Sequence, residues 1–346
     1  MPALSQENVT PKSEAFHLGH QALRMMDAGD FQGSIELLER AHELQPDDIA
    51  YTYGIGYAYY QMEDFGNAIK YLEPLLKHKD AEDRVYQLLG NSYGFMGNNK
   101  RSLEIYDEGL IKFPASGRLF LEKGKYEVLY LKDYEKALDN WEEGIIAEPS
   151  FAENYYFASK LYYFTEEKLW AVLYGELYLN FKTEEELEAE ISRLVYDTFN
   201  EAVSFNSSNA IVAFSKKAGL SIIETPESKT YDFENAYENT VLESLQGIKG
   251  EFSIKALYEI REKFLELWFA GSGEKFPNLI FEYHRKLRDA GHFEAYNFNL
   301  FKEGNIEEYN EWVEENRDKL EAFMIWYEDN PLILDDNNYL NRYDYR

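Results

Sequence analysis

Residues 49–82 read IAYTYGIGYAYYQMEDFGNAIKYLEPLLKHKDAE, and residues 83–116 read DRVYQLLGNSYGFMGNNKRSLEIYDEGLIKFPAS. Set one above the other, Gly56 lies over Gly90, Glu63-Asp64-Phe65 over Gly97-Asn98-Asn99, and Ala68 over Ser102. The same marks continue outward. Gly124 stands 34 residues beyond Gly90, Gly29-Asp30-Phe31 stands 34 before Glu63-Asp64-Phe65, and Lys132-Asp133-Tyr134 follows 35 after Gly97-Asn98-Asn99. Pro46, Pro114 and Pro149 close their units. A fixed period of this size marks a stacked repeat. Small residues let two antiparallel helices approach closely, aromatic side chains fill the space between neighbours, and proline ends the second helix because it has no N–H to continue the ladder.

These residues resemble the tetratricopeptide repeat family, a 34-residue helix–turn–helix unit. In its pattern a small residue stands in the first helix (Ala22, Gly56, Gly90, Gly124) with an aromatic three residues on (Tyr59, Tyr93). The second helix carries small residues (Ser34, Ala68, Ser102, Ala137, Ala171) and ends at proline. The resemblance implies an all-α chain, a right-handed α-solenoid of tetratricopeptide type. Its units fall at about 15–48, 49–82, 83–116, 117–151 and 152–182. Residues 1–14 are then an N-terminal extension, 183–340 a helical C-terminal region stacked on the solenoid, and 341–346 a frayed tail. Three departures stand out. Pro74 lies inside a second helix and should kink it. The fourth unit holds one extra residue, placed between Leu129 and Lys132, and has Glu127 where the aromatic belongs. The fifth replaces the Gly-Asp turn by Thr165-Glu166-Glu167.

Beyond residue 182 the period is lost. Thr183 and Glu186 read as a capping box opening a helix on Leu187, Ile191, Leu194, Val195, Phe199 and Val203. Ile211-Val212-Ala213-Phe214 and Leu220-Ser221-Ile222-Ile223 flank Lys216-Lys217-Ala218-Gly219, which predicts a small β-hairpin near 210–223. Helices are expected from Tyr231 to Leu245, from Ser253 to Ala270, and from Pro277 as first helical residue. A degenerate hairpin follows around His292–Trp312, and a last helix carries Leu320, Phe323, Trp326 and Tyr327.

The chain of 346 residues carries a net charge of −29, with no long Lys/Arg run. That argues against nucleic acid, which needs a basic stripe. There is no cysteine, so disulfides, thiolate metal sites and cysteine nucleophiles are excluded. Residues 1–8 have neither a basic region nor an apolar run of the secretory kind, and no stretch reaches a membrane span, so the cytoplasm is the expected compartment. His17 and His20 with Glu14 lack a third metal ligand and read as exposed helix residues. Phosphate loops, nucleophile elbows and His-Glu-x-x-His are absent, so no catalytic residue, metal or cofactor is assigned. An alternative, an enzyme or small-ligand protein, would place its site near His284 and His292, with Asp289 and Glu294 nearby.

The partner predicted by the resemblance is another protein or a peptide, held on the concave face formed by the first helices. On that face stand Tyr53, Tyr57, Tyr60, Arg84, Gln87, Asn91, Lys125, Tyr156 and Lys160, with Phe16, Leu23, Met26 and Arg118 beside them. Tyrosine joins a large apolar body to a hydrogen-bonding tip at low entropic cost. Four basic residues on this face of an acidic chain predict a ligand that is acidic or bears a carboxylate. The two-carboxylate clamp of chaperone-binding members is missing, since Gly19, Leu23, Gly54 and Leu88 occupy its places. The reading is therefore an adaptor or scaffold whose groove is either open or filled by the chain's own C-terminal helices.

Overall fold

The computed structural model describes residues 10–181, 183–205, 210–215, 220–221 and 232–345. The chain divides into two units, one ending at Ala137 and the other beginning at Leu138.

The first unit is built of helical hairpins. They run α1 (Pro11–Asp27) with α2 (Phe31–Leu44), α3 (Ile49–Gln61) with α4 (Phe65–Leu72), and α5 (Asp83–Phe95) with α6 (Asn99–Lys112). Then come α7 (Gly117–Tyr126) and the start of α8 (Tyr134–Ala147). The turn signature has a direct physical cause. Gly29 and Gly97 take φ of 80° and 75°, which lets the chain leave the first helix through the left-handed region. Asp30, Asp64 and Asn98 then cap the second helix, as in the bond from Gly33 N to Asp30 Oδ1 at 2.9 Å. Glu63 holds the same left-handed place at φ 59° without being glycine. Between the hairpins Leu18, Ile35, Leu38 and Ile55 form one buried cluster, and Leu72, Val85, Leu89, Ile105, Tyr106 and Leu119 the next.

Two of the three departures from the repeat, those at Pro74 and in the fourth unit, are absorbed locally. α4 ends at Leu72, and Glu73–Lys77 continue as a 3₁₀ turn around Pro74. The extra residue of the fourth repeat is taken up by a π-helical turn over Glu127–Leu131, closed by Lys132 at φ 57°. The N-terminal extension is shorter than expected. Thr10 caps α1 through Ser13 N (3.2 Å), and Pro11 opens the helix, so only residues before Thr10 precede it.

The second unit holds the rest of α8, then α9 (Ala152–Tyr163), α10 (Lys168–Tyr178), α11 (Glu185–Ala202), α12 (Phe233–Ser244), α13 (Ile254–Ala270), α14 (Leu279–Asp289), α15 (Phe293–Leu300) and α16 (Ile306–Asp329). α10 is buried on every side from Leu169 to Tyr178, as its mostly apolar and aromatic sequence requires, with Glu176 as the one charged residue in the stretch. Gly175 lets α9 and α11 approach it, since a Cβ there would lie 2.8 Å from Ser159 Oγ and 2.5 Å from Val195 Cγ2. α16 is broken at Asn316, whose φ/ψ leave the helical region.

Several expectations shift here. α11 begins at Glu185 with Glu184 at the cap, one residue late, and Glu188 rather than Glu186 reaches back to Thr183 N (3.0 Å). It ends at Ala202, and Val203–Phe205 form β1. The hairpin exists as β2 (Ala210–Val212) and β3 (Leu220–Ser221), antiparallel, with β1 adding a third strand on β2 at Val203↔Val212. Its turn residues Lys216–Gly219, like Ile222, Ile223 and Tyr231, lie outside the described residues. Pro277 precedes the cap rather than opening the helix; Asn278 caps α14, donated to by Ile280 N at 3.0 Å. Residues 341–345, expected to be frayed, are held in place. Arg342 forms a bidentate pair with the fully buried Glu142 (2.9 and 3.0 Å), and Tyr345 stacks on Phe233 at 4.1 Å.

Candidate binding face of the repeat unit

In the first unit the first helices α1, α3, α5 and α7 turn their side chains to a face with two hollows. The first, of about 630 Å³, lies against α1, α3 and α5 and is mainly apolar. Phe16, Leu23, Met26, Tyr53, Tyr57 and Arg84 line it. Phe16, edge-on to the His20 ring at 4.3 Å, is still 64% exposed and Leu23 55%, an exposure that is costly for large apolar side chains. The second hollow, of about 350 Å³, is bounded by Tyr60, Gln87, Asn91, Phe95, Tyr106, Glu122, Lys125, Leu129 and Tyr130. Seven of the nine residues proposed from the sequence therefore line one hollow or the other.

The remaining two behave differently. In the second unit Tyr156 is buried and donates to Glu190 at 2.5 Å, while Lys160 Nζ pairs with Glu190 at 2.7 Å. Glu190 belongs to α11, which packs on α9. Tyr156 and Lys160 are engaged by the chain's own helix.

The charge of the open face also differs from the expectation. Arg84 pairs with Glu82 at 2.9 Å and lies 4.7 Å over the ring of Tyr53. Arg118 reaches Asp83 (3.9 Å) and Gln87 Oε1 (3.4 Å), and Lys125 reaches Glu122 at 3.4 Å. Every cation counted from the sequence has a carboxylate beside it: Glu82 at the cap of α5 for Arg84, Asp83 of α5 for Arg118, Glu122 one turn back for Lys125, and Glu190 of α11 for Lys160. Burial pushes the Tyr53 hydroxyl upward, against the pull of Arg84 and Arg118. Burial also raises Tyr60 and, further, Tyr106, so these phenols stay neutral donors.

Sequence reasoning missed Glu122, Tyr106 and Tyr130. Tyr106 comes from the second helix α6, whereas the expected face was drawn from the first helices alone; its hydroxyl donates to Asn91 Oδ1. Tyr130 rides on the π turn, so the extra residue of the fourth repeat was its only signal.

The alternative site near His284 and His292 does not assemble. His284 is buried beside Glu176 (Nε2 to Oε1, 2.5 Å) and Arg261, which meets Glu176 at 2.6 and 2.8 Å. Tyr296 and Asn297 complete this buried network (2.8 Å to Glu176, 2.7 Å to Arg261). The adjoining cavity, about 20 Å³, holds no more than a water. His292 instead lies against the ring of Trp326, 5.2 Å away. Among the described residues no group of three or more His, Cys, Asp or Glu could hold a metal ion, and no helix is long and apolar enough to cross a membrane.

Paired helices of this length, with left-handed glycine turns and a lined inner face, define a helical-hairpin repeat protein. The tetratricopeptide repeat model matches residues 25–91, so the chain contains tetratricopeptide repeats. Solved structures similar to it include PilF of Pseudomonas aeruginosa (14% identity, 55% of this chain and 85% of that one, TM-score 0.46). Another is TTC0263, a tetratricopeptide protein of Thermus thermophilus (16%, 52% and 98%, TM-score 0.44). A third is YrrB, described as having an unusual peptide-binding site (16%, 50% and 89%, TM-score 0.35). No curated protein matches the chain in sequence.

Proposed function

We propose that residues 11–137 are a protein-interaction module that holds a segment of another protein along the face of α1, α3, α5 and α7. The observation that carries this reading is the first hollow, where Phe16 and Leu23 stand exposed beside Tyr53 and Tyr57. Apolar side chains of a partner would fill it, and the amide and hydroxyl groups of Gln87, Asn91 and Tyr60 would meet its polar edge. The paired state of Arg84, Arg118 and Lys125 weakens the case for a ligand chosen by its carboxylates.

The test compares proteins retained from native lysate by wild type, Y57A/N91A and I111D, all confirmed folded by circular dichroism. Ile111 is exposed and lines neither hollow. The reading expects one partner retained by wild type and I111D and reduced about ten-fold or more in the double variant. Equal retention by all three would overturn it.

A further inference from the structure

The second hollow is walled by Tyr60, Phe95, Tyr106 and Tyr130, and the Glu122 carboxylate lies among them. The Glu122 side chain is only 11% exposed. A carboxylate so far removed from water needs strong partners. It has two, Gln87 Nε2 at 3.0 Å and Lys125 Nζ at a long 3.4 Å, and both fall on Oε1. Aromatic faces around a desolvated acid form an environment that favours a cation, through the ring quadrupoles and the charge together. The long-range field has the same sign preference, since the chain carries −29 and draws basic segments.

We propose that this hollow takes a lysine or arginine side chain of the bound partner segment, with Glu122 as its counter-ion and the tyrosine rings as its walls. The inference rests on the binding face proposed above and reverses the charge expected from the sequence. Lys125 then acts as a resident competitor for the carboxylate. Its side chain is about one-third exposed, so it can yield Glu122 to an incoming cation.

The full chain is panned against phage-displayed random 12-residue peptides as wild type, E122Q, K125M and L23D/Y57A. The consensus peptide, and the same peptide with norleucine for its basic residue, are then titrated by calorimetry. The proposal expects a Lys or Arg at one fixed place, an affinity loss of about ten-fold or more on norleucine replacement, a comparable loss in E122Q, and binding by K125M at least as tight as by wild type. Enriched peptides without a fixed base, or with a fixed acid and binding lost in K125M, would overturn the cation pocket while leaving the binding face standing. No enrichment over L23D/Y57A would overturn both. The norleucine arm does not depend on the folding of any variant.

Discussion

A Cβ on Gly90 would run into the ring of Tyr106, which is buried and tied by its hydroxyl to Asn91. The ring has no room to yield without disturbing the second hollow, so this glycine is set by packing between α5 and α6 rather than by its backbone angles. G90A should destabilise the first unit by roughly 1–3 kcal/mol, the usual cost of overpacking. Gly66 is the internal control. Its nearest neighbour would be Asp64 at 3.8 Å, and G66A in α4 should add up to about 1 kcal/mol from helix propensity. Urea unfolding of both variants separates the two causes, and equal shifts in the midpoint would refute the packing argument. Gly56 and Gly90 were legible in the sequence because the repeat copies the same close helix approach. Glu122 was not, because an acid in an acidic chain carries no signal until its surroundings are known.

At the scale of the element, the repeat period located its own irregularity. The one-residue excess between Leu129 and Lys132 is the π turn, which brings Tyr130 to the second hollow and ends with Lys132 left-handed. The segment that carries Arg342 was misread for the opposite reason. It is polar, has no period, and its partner Glu142 lies 200 residues back. Glu142 is fully buried and also accepts from Tyr162 (2.7 Å) and Tyr174 (3.1 Å). Removing the guanidinium leaves that charge without a cation. R342M should therefore cost the second unit about 3–5 kcal/mol, and R342M/E142Q should recover part of the loss. Equal destabilisation by the single and double variants in urea unfolding would show that packing of the segment, not the ion pair, dominates.

For the molecule as a whole, the fold of the repeats was readable because it is periodic, whereas residues 183–345 fold through partners far apart in sequence. Glu176, Arg261 and His284 meet over 85 and 108 residues, and Glu238 accepts from Phe214 N (2.7 Å) and Ser215 N (2.6 Å). These two buried glutamates respond to pH in opposite ways. Burial pushes the Glu238 carboxyl up to about 7, against the backbone bonds from Ser215 and Phe214. For Glu176 burial also pushes upward, but Arg261 and His284 outweigh it and hold the group at about 2. A carboxyl raised above its unfolded value contributes stability that is complete below about 4.5 and is lost as pH climbs through 7. One that is lowered contributes stability present above 4.5 and lost as pH falls toward 2. The two contributions coexist only near pH 4.5–5, where His284, held by burial below its ordinary 6.5, already costs stability as acid drives it toward the charged form; Glu238 by itself should make the second unit less stable at pH 8 than at pH 5 by at most about 3 kcal/mol. The net charge of −29 pushes the same way, because acid relieves self-repulsion. E238Q separates the two effects. It keeps a carbonyl acceptor for the Phe214 and Ser215 amides but cannot ionise, so its stability should fall less steeply between pH 5 and 8 than that of wild type. Parallel slopes in the two proteins would assign the pH dependence to the surface charge alone.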